Sequence, residues 1–177
     1  MTVALLIVDV QHDFLPGGAL GVPAGDAVIG ALRTAAATVD LVVASRDAHP
    51  ADHCSFAAQG GSWPPHCVEG THGAELHPAI AALAPALVVE KATASDRDAY
   101  SAFDGTGLAA MLRARGVDRL VVGGLATDYC VRASVLDALR EGFTVTVLAD
   151  GVRGVEMQAG DGERALDEMR AAGAVVA

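Results

Sequence analysis

Short apolar, β-branched runs that alternate with helical patterns predict an α/β fold. The expected architecture is one doubly wound, mostly parallel β-sheet with helices on both faces, a three-layer α/β/α arrangement. Two further observations agree. The strands read as continuous apolar runs with no polar alternation, the pattern of a sheet covered on both sides. Glycines follow three helical segments, at Gly116, Gly142 and Gly173, where a left-handed residue usually closes a helix. The 177 residues suit a single domain over 1–177. A domain of that size hides about 70% of its unfolded surface without help from disulfides or structural metal.

Taken in order, Val3 to Val8 reads as the first strand and Asp26 to Thr38 as an alanine-rich helix. Leu41 to Ala44 and Leu87 to Val89 read as the second and third strands. Gly107 to Arg115 is helical, Leu120 to Val122 is a fourth strand, and Asp128 to Glu141 a helix for which Thr127 is the expected N-cap. Thr144 to Leu148, a helix over Asp161 to Ala172 and a short edge strand over Ala174 to Val176 complete the pattern. Residues 46–78 break it. They hold four of the seven prolines, five of the six histidines, the single tryptophan and two of the three cysteines. A loop that long inside one domain is normally functional.

Charge excludes several classes of partner. A formal net charge of −10 argues against nucleic acid and anionic membranes, both of which need a basic face. The apolar start MTVALLIVDV lacks a basic n-region and is interrupted by Asp9, so it reads as neither signal peptide nor membrane span. Three cysteines suit a reducing cytoplasm better than an oxidised scaffold. No G-x-G-x-x-G or P-loop pattern occurs, which leaves a small-molecule partner without a dinucleotide.

In open α/β sheets, ligands bind beyond the carboxyl ends of the strands. Asp9, Asp47 and Lys91 fall at the ends of the first three strands, and Cys130 follows the fourth, so the fold brings them to one rim. Cys130 lies in the opening turn of a helix, where unpaired amides favour a thiolate or an oxyanion; a buried, inert thiol is the plainer alternative. Asp9, desolvated at a strand end, would accept its proton. Lys91 is the one lysine among twelve cations, which suggests that an ammonium is wanted there. Asp47, His49 and His66, with His53 as a possible fourth, form an open divalent-metal set of zinc, iron or manganese type. A structural zinc on His53, Cys54, His66 and Cys67 is a rival that the pairwise adjacency of its ligands disfavours. Phe14, Trp63 and Tyr100 could sandwich a flat ring.

Ile7-Val8-Asp9-Val10-Gln11 with Asp13-Phe14, Arg46-Asp47-Ala48-His49-Pro50, Trp63-Pro64-Pro65-His66-Cys67, Glu90-Lys91, and Gly124-Leu125-Ala126-Thr127-Asp128-Tyr129-Cys130-Val131 occur in that order. Together they resemble the nicotinamidase/pyrazinamidase branch of the isochorismatase-like cysteine hydrolase superfamily. The resemblance implies hydrolysis of nicotinamide and pyrazinamide through a thioester on Cys130, with Asp9 as acid–base and Lys91 beside them, in NAD salvage. It implies an oxyanion site on the amides of Ala126 and Cys130, with a cis peptide at Leu125–Ala126. It also implies one divalent ion, zinc first, on Asp47, His49 and His66 to orient the pyridine ring, and a ring pocket of Phe14, Trp63, Tyr100 and Leu125. The alternative within the superfamily is a cysteine amidase for another small carboxamide or ureide. Outside it, a catalytically silent small-molecule or metal-binding module is the other alternative.

Overall fold

In the computed structural model, which describes residues 2–177, the strands are β1 Thr2–Val8, β2 Leu41–Asp47, β3 Leu87–Lys91, β4 Val117–Leu125, β5 Thr144–Arg153 and β6 Val175–Val176. They form one sheet in the order β3-β2-β1-β4-β5-β6, and every neighbouring pair is parallel. The chain builds outward from β1 to β3, then returns to the other side of β1 and builds outward again. The reversal leaves a crevice beyond the carboxyl ends of β1 and β4, where connections leave in opposite directions.

Five helices cover the sheet: α1 Val28–Ala36, α2 Pro78–Ala81, α3 Leu108–Arg113, α4 Arg132–Arg140 and α5 Asp161–Ala171. Strand β1 shows why its sequence is apolar throughout. Ala4, Leu6 and Val8 enter a core with Leu108 and Leu112 of α3, Val135 of α4 and Met169 of α5. Leu5 and Ile7 point to the opposite face, against Val28 and Leu32 of α1 and Ile80 of α2. Successive side chains alternate faces, so a strand with helices on both sides has no polar face to show.

The strands run further than their apolar runs. β2 continues through Ser45, Arg46 and Asp47, and β3 through Glu90 and Lys91. The polar ends stay in register because Arg46 lies opposite Glu90 and Asp47 opposite Lys91, each as an ion pair. Apolar periodicity cannot see such cross-strand pairing. The first helix is shorter than its pattern, with a 3₁₀ turn over Gly25–Ala27 leading into α1. Helix α2 carries no periodic signal: it is one turn, opened by Pro78 and capped by the His77 ring, whose Nδ1 accepts from the Ala79 amide at 3.2 Å. The expected Thr127 cap does not form. Instead Thr127–Val131 makes a π-helical turn with no side-chain cap, entered from extended Ala126. None of the described helices is long and apolar enough to cross a membrane.

Candidate active site

Asp9 is the first residue past β1, wholly buried and held at φ +49°, a left-handed conformation that costs a non-glycine residue energy. Its amide donates to the Ser45 carbonyl at 3.2 Å, and its Oδ1 accepts from Ser45 Oγ at 2.7 Å. Lys91, the last residue of β3, has no exposed side-chain surface. Its Nζ lies 2.9 Å from Asp9 Oδ2, 3.4 Å from Cys130 Sγ and 3.3 Å from the Ala99 carbonyl, and it pairs with Asp47 Oδ1. The Asp9 Oδ2 contact is a charge contact off the line of a directed hydrogen bond, so that oxygen keeps a lone pair. Four side chains from the ends of β1, β2, β3 and the turn after β4 thus meet around one ammonium.

Their protonation follows from that meeting. Burial raises the Asp9 carboxyl, and the nearby Asp47 adds to the rise against the pull of Lys91. Burial likewise pushes the Cys130 thiol up, with Lys91 drawing it back and Asp9 pushing further. Burial alone would discharge Lys91, but Asp47, Asp9 and the sulfur hold it charged beyond its usual range. Asp47 moves the other way: Lys91 and His49 overcome its burial and keep it ionised. The site is therefore a lysinium beside the ionised Asp47, with the Asp9 carboxyl and the Cys130 thiol within 4.8 Å of each other.

Cys130 is aimed by the turn after β4. Gly124 sits at φ +126°, and a Cβ there would come within 2.1 Å of the Val8 carbonyl oxygen, so only glycine lets β4 pass β1 this closely. The Leu125–Ala126 peptide is cis. Beyond it, the amides of Tyr129 and Val131 both donate to the Ala126 carbonyl at 3.1 Å, which closes the turn. Ala126 and Cys130 both line the cleft.

Asp47, His49 and His66 are buried, and one ligating atom from each lies within 4.8 Å of the others. His49 Nδ1 is 3.1 Å from the Ala92 carbonyl and His66 Nδ1 is 2.8 Å from the Pro64 carbonyl. A carbonyl only accepts, so both Nδ1 atoms carry hydrogen and both Nε2 atoms present lone pairs. Those two Nε2 atoms face each other at 3.2 Å, and Asp47 Oδ2 lies 3.4 Å from His49 Nε2. Lone pairs converging on one point beside a carboxylate suit a shared cation, and backbone-anchored imidazoles are how proteins orient metal ligands. The residues fit a divalent ion of zinc, iron or manganese type.

His53 does not join them. Its Nδ1 is 2.7 Å from Ser55 Oγ, its Nε2 is 3.2 Å from the Arg97 carbonyl, and its ring stacks on His49 at 4.2 Å. With both nitrogens engaged, it braces His49. Nor do His53, Cys54, His66 and Cys67 gather, since Cys67 Sγ points to the Gly73 carbonyl at 3.9 Å; all three cysteines are free.

The cleft above Cys130 is lined by Phe14, Trp63, Tyr100 and Tyr129 together with Asp47, His49, His66 and Ala126. Trp63 Nε1 donates to the Tyr100 hydroxyl at 3.3 Å, and Tyr129 packs edge-on to Trp63 at 5.3 Å. Leu125, expected in the ring pocket, is buried in the α1 side of the core beside Leu5 and Ile7. Ala126, not Leu125, lines the cleft.

Several supporting residues escape a search for chemistry. Buried Gln11 donates through Nε2 to the carbonyls of Asp47 and Ala74 at 2.8 and 2.9 Å, and accepts the Asp47 amide at 2.8 Å. Asp13 Oδ2 accepts the Cys67 amide at 2.8 Å, next to His66. Ser45 and Tyr129 complete the group. Gln11 and Asp13 carry a signal as polar neighbours of Asp9 in one short motif and Tyr129 as the neighbour of Cys130 in another, whereas Ser45 carries none.

Comparison with known proteins identifies the family. The model of the isochorismatase domain matches residues 3–177. The nicotinamidase/pyrazinamidase of Mycobacterium tuberculosis is 44% identical over 96% of this chain and 95% of its own. Among solved structures, the pyrazinamidase of Pyrococcus horikoshii in complex with zinc is 45% identical, with a TM-score of 0.91 over 100% of this chain and 99% of that one. An L. infantum protein in complex with nicotinate is 38% identical, with a TM-score of 0.93 over 99% and 92%.

Proposed function

This chain belongs to the isochorismatase family, and we propose that within it the chain is an amidohydrolase that converts nicotinamide to nicotinate, and pyrazinamide to its acid, with release of ammonia. One observation carries the proposal: Lys91 Nζ lies against both Asp9 Oδ2 and Cys130 Sγ at the floor of an aromatic-walled cleft.

The chemistry follows from those positions. Asp9, its basicity raised by burial, takes the Cys130 proton as the sulfur bonds to the carboxamide carbon and the C=O π pair moves onto oxygen. Lys91 keeps the proton transfer from separating uncompensated charge. The amides of Ala126 and Cys130 receive the oxyanion. As the C=O re-forms, the C–N bond breaks and Asp9 returns the proton to nitrogen, so ammonia departs and a thioester remains. Water then adds to the thioester and gives one proton to Asp9; collapse expels the sulfur, which regains that proton, and the product leaves as the acid and loses its remaining proton to solvent. Asp47, His49 and His66 would hold one divalent ion, zinc first, which when bound supplies a Lewis acid for the ring nitrogen and orients the substrate. Phe14, Trp63, Tyr100 and Tyr129 enclose the ring and exclude water. The three free thiols suit a reducing compartment such as the cytoplasm.

The test is ammonia release from nicotinamide by the wild type and by Cys130→Ala. The wild type should turn over and the variant should not, at a stability cost of only about 1 kcal/mol for trimming a small buried side chain. Turnover by Cys130→Ala near the wild-type rate would exclude the cysteine mechanism.

A further inference from the structure

Away from the cleft, a second set of metal-type side chains lies at the seam between the segment after β1 and residues 72–77. The ligating atoms of His12, His72 and Glu75 lie within 4.8 Å of one another. The rings of His12 and His72 are 4.0 Å apart, and His77 flanks His12 at 5.9 Å. His72 Nδ1 is 2.9 Å from Glu75 Oε2, so a carboxylate already sits against the imidazoles.

The backbone holds these groups in place. The His12 amide donates to the Glu75 carbonyl at 3.1 Å and the His77 amide to the Val10 carbonyl at 2.8 Å, and Gln11 pairs antiparallel with Leu76. A 3₁₀ turn over His72–Ala74 sets His72 and Glu75 on one side, closed by the Glu75 amide on the His72 carbonyl at 3.1 Å. The Gln11 side chain ties the same turn to β1 through the Ala74 carbonyl at 2.9 Å. The backbone is thus ordered before an ion arrives, and the exposed His72 and Glu75 side chains are what binding must still fix.

We propose that His12, His72 and Glu75 form a second divalent-cation site, selective for zinc-like ions and separate from Asp47, His49 and His66. Two imidazoles and one carboxylate, with remaining positions left to water or to His77, are a borderline donor set that favours zinc over magnesium or calcium. The site would also clamp the segment after β1 to the loop whose Cys67 amide rests on Asp13, one residue from His66.

The test is calorimetric titration of the metal-stripped, full-length protein with zinc, joined to metal analysis after dialysis. The wild type should take up two equivalents. His12→Asn with His72→Ala should take up one, and His66→Ala should lose the other. Two equivalents in the His12/His72 variant, or one in the wild type that this variant retains, would overturn the second site. One equivalent lost with His12 and His72 but kept in His66→Ala would instead remove the cleft site from the proposed function and leave this one standing.

Discussion

Lys91 lies against Asp9, Asp47 and Cys130 with its side chain fully enclosed, and shape there matters as much as charge. Lys91→Arg keeps the charge but replaces a compact ammonium with a planar fork that grips carboxylates in pairs. The guanidinium has no room between three partners, and it would lock Asp9 as a poor base. A fall in kcat of at least about 100-fold is expected, the lower range for losing a positioned acid–base pair, together with slower alkylation of Cys130 near neutral pH. Retention of more than half the wild-type kcat, a loss under about 0.5 kcal/mol of barrier, would show that Lys91 has no such role. Asp9 makes a separate prediction through pH. Its carboxyl is raised in the folded state, chiefly by burial. The folded protein therefore holds that proton above about pH 3.9, where the unfolded chain has released it, and stability falls as pH rises through the window between the two values. Asp9→Asn cannot ionise. In urea unfolding at a series of pH values from 4 to 8, the stability of the variant relative to wild type should therefore improve as pH rises. A relative stability that worsens over that range would contradict the raised carboxyl.

At the scale of elements, the turn after β4 does most to aim the nucleophile. Gly124 has both a left-handed φ of +126° and no space, since a Cβ would meet Val8 backbone oxygen at 2.1 Å and nitrogen at 2.6 Å. Gly124→Ala should cost about 2–5 kcal/mol, combining backbone strain with overpacking against atoms that cannot move without breaking the sheet. Thermal unfolding measures it, with Gly142→Ala as the comparison: Gly142 has a similar positive φ of +86° but open space around its missing Cβ. Equal losses at the two positions would mean that strain alone matters and that β1 and β4 are not pressed together. Elsewhere the rim is ordered by short backbone bridges, not by long elements. His49 pairs with Val68 and Phe56 with Trp63 across the loop, and this carries His66 back to His49 over 17 residues.

At the scale of the molecule, the two apolar clusters on either face of the sheet draw on all five helices and take from the 46–78 loop only Cys67, Ala74 and the partly buried Leu76. Chelation should therefore abolish nicotinamide hydrolysis while moving the thermal midpoint by only a few degrees, because an open site orients substrate more than it supports the core. Calorimetry before and after chelation reads this, and unfolding on metal removal would assign the metal a structural role. The sequence by itself determined the class of fold, because a strand buried on both faces has to be apolar at every position, as β1 is from Ala4 to Val8. It also marked Asp9, Asp47, Lys91 and Cys130, because chemically capable side chains at strand ends must share the rim where a parallel sheet exposes its carboxyl edge. Which of the loop histidines face one another depends on the tertiary structure, since His53 reads in one dimension as a possible fourth ligand beside His66 and only its hydrogen bonds show both of its nitrogens taken. The tertiary structure likewise decided that Leu125 belongs to the core and that Gln11, Ser45 and Tyr129 belong to the site. Those roles depend on directions of side chains and on hydrogen bonds between residues about 36 apart, and neither propensity nor periodicity carries that information.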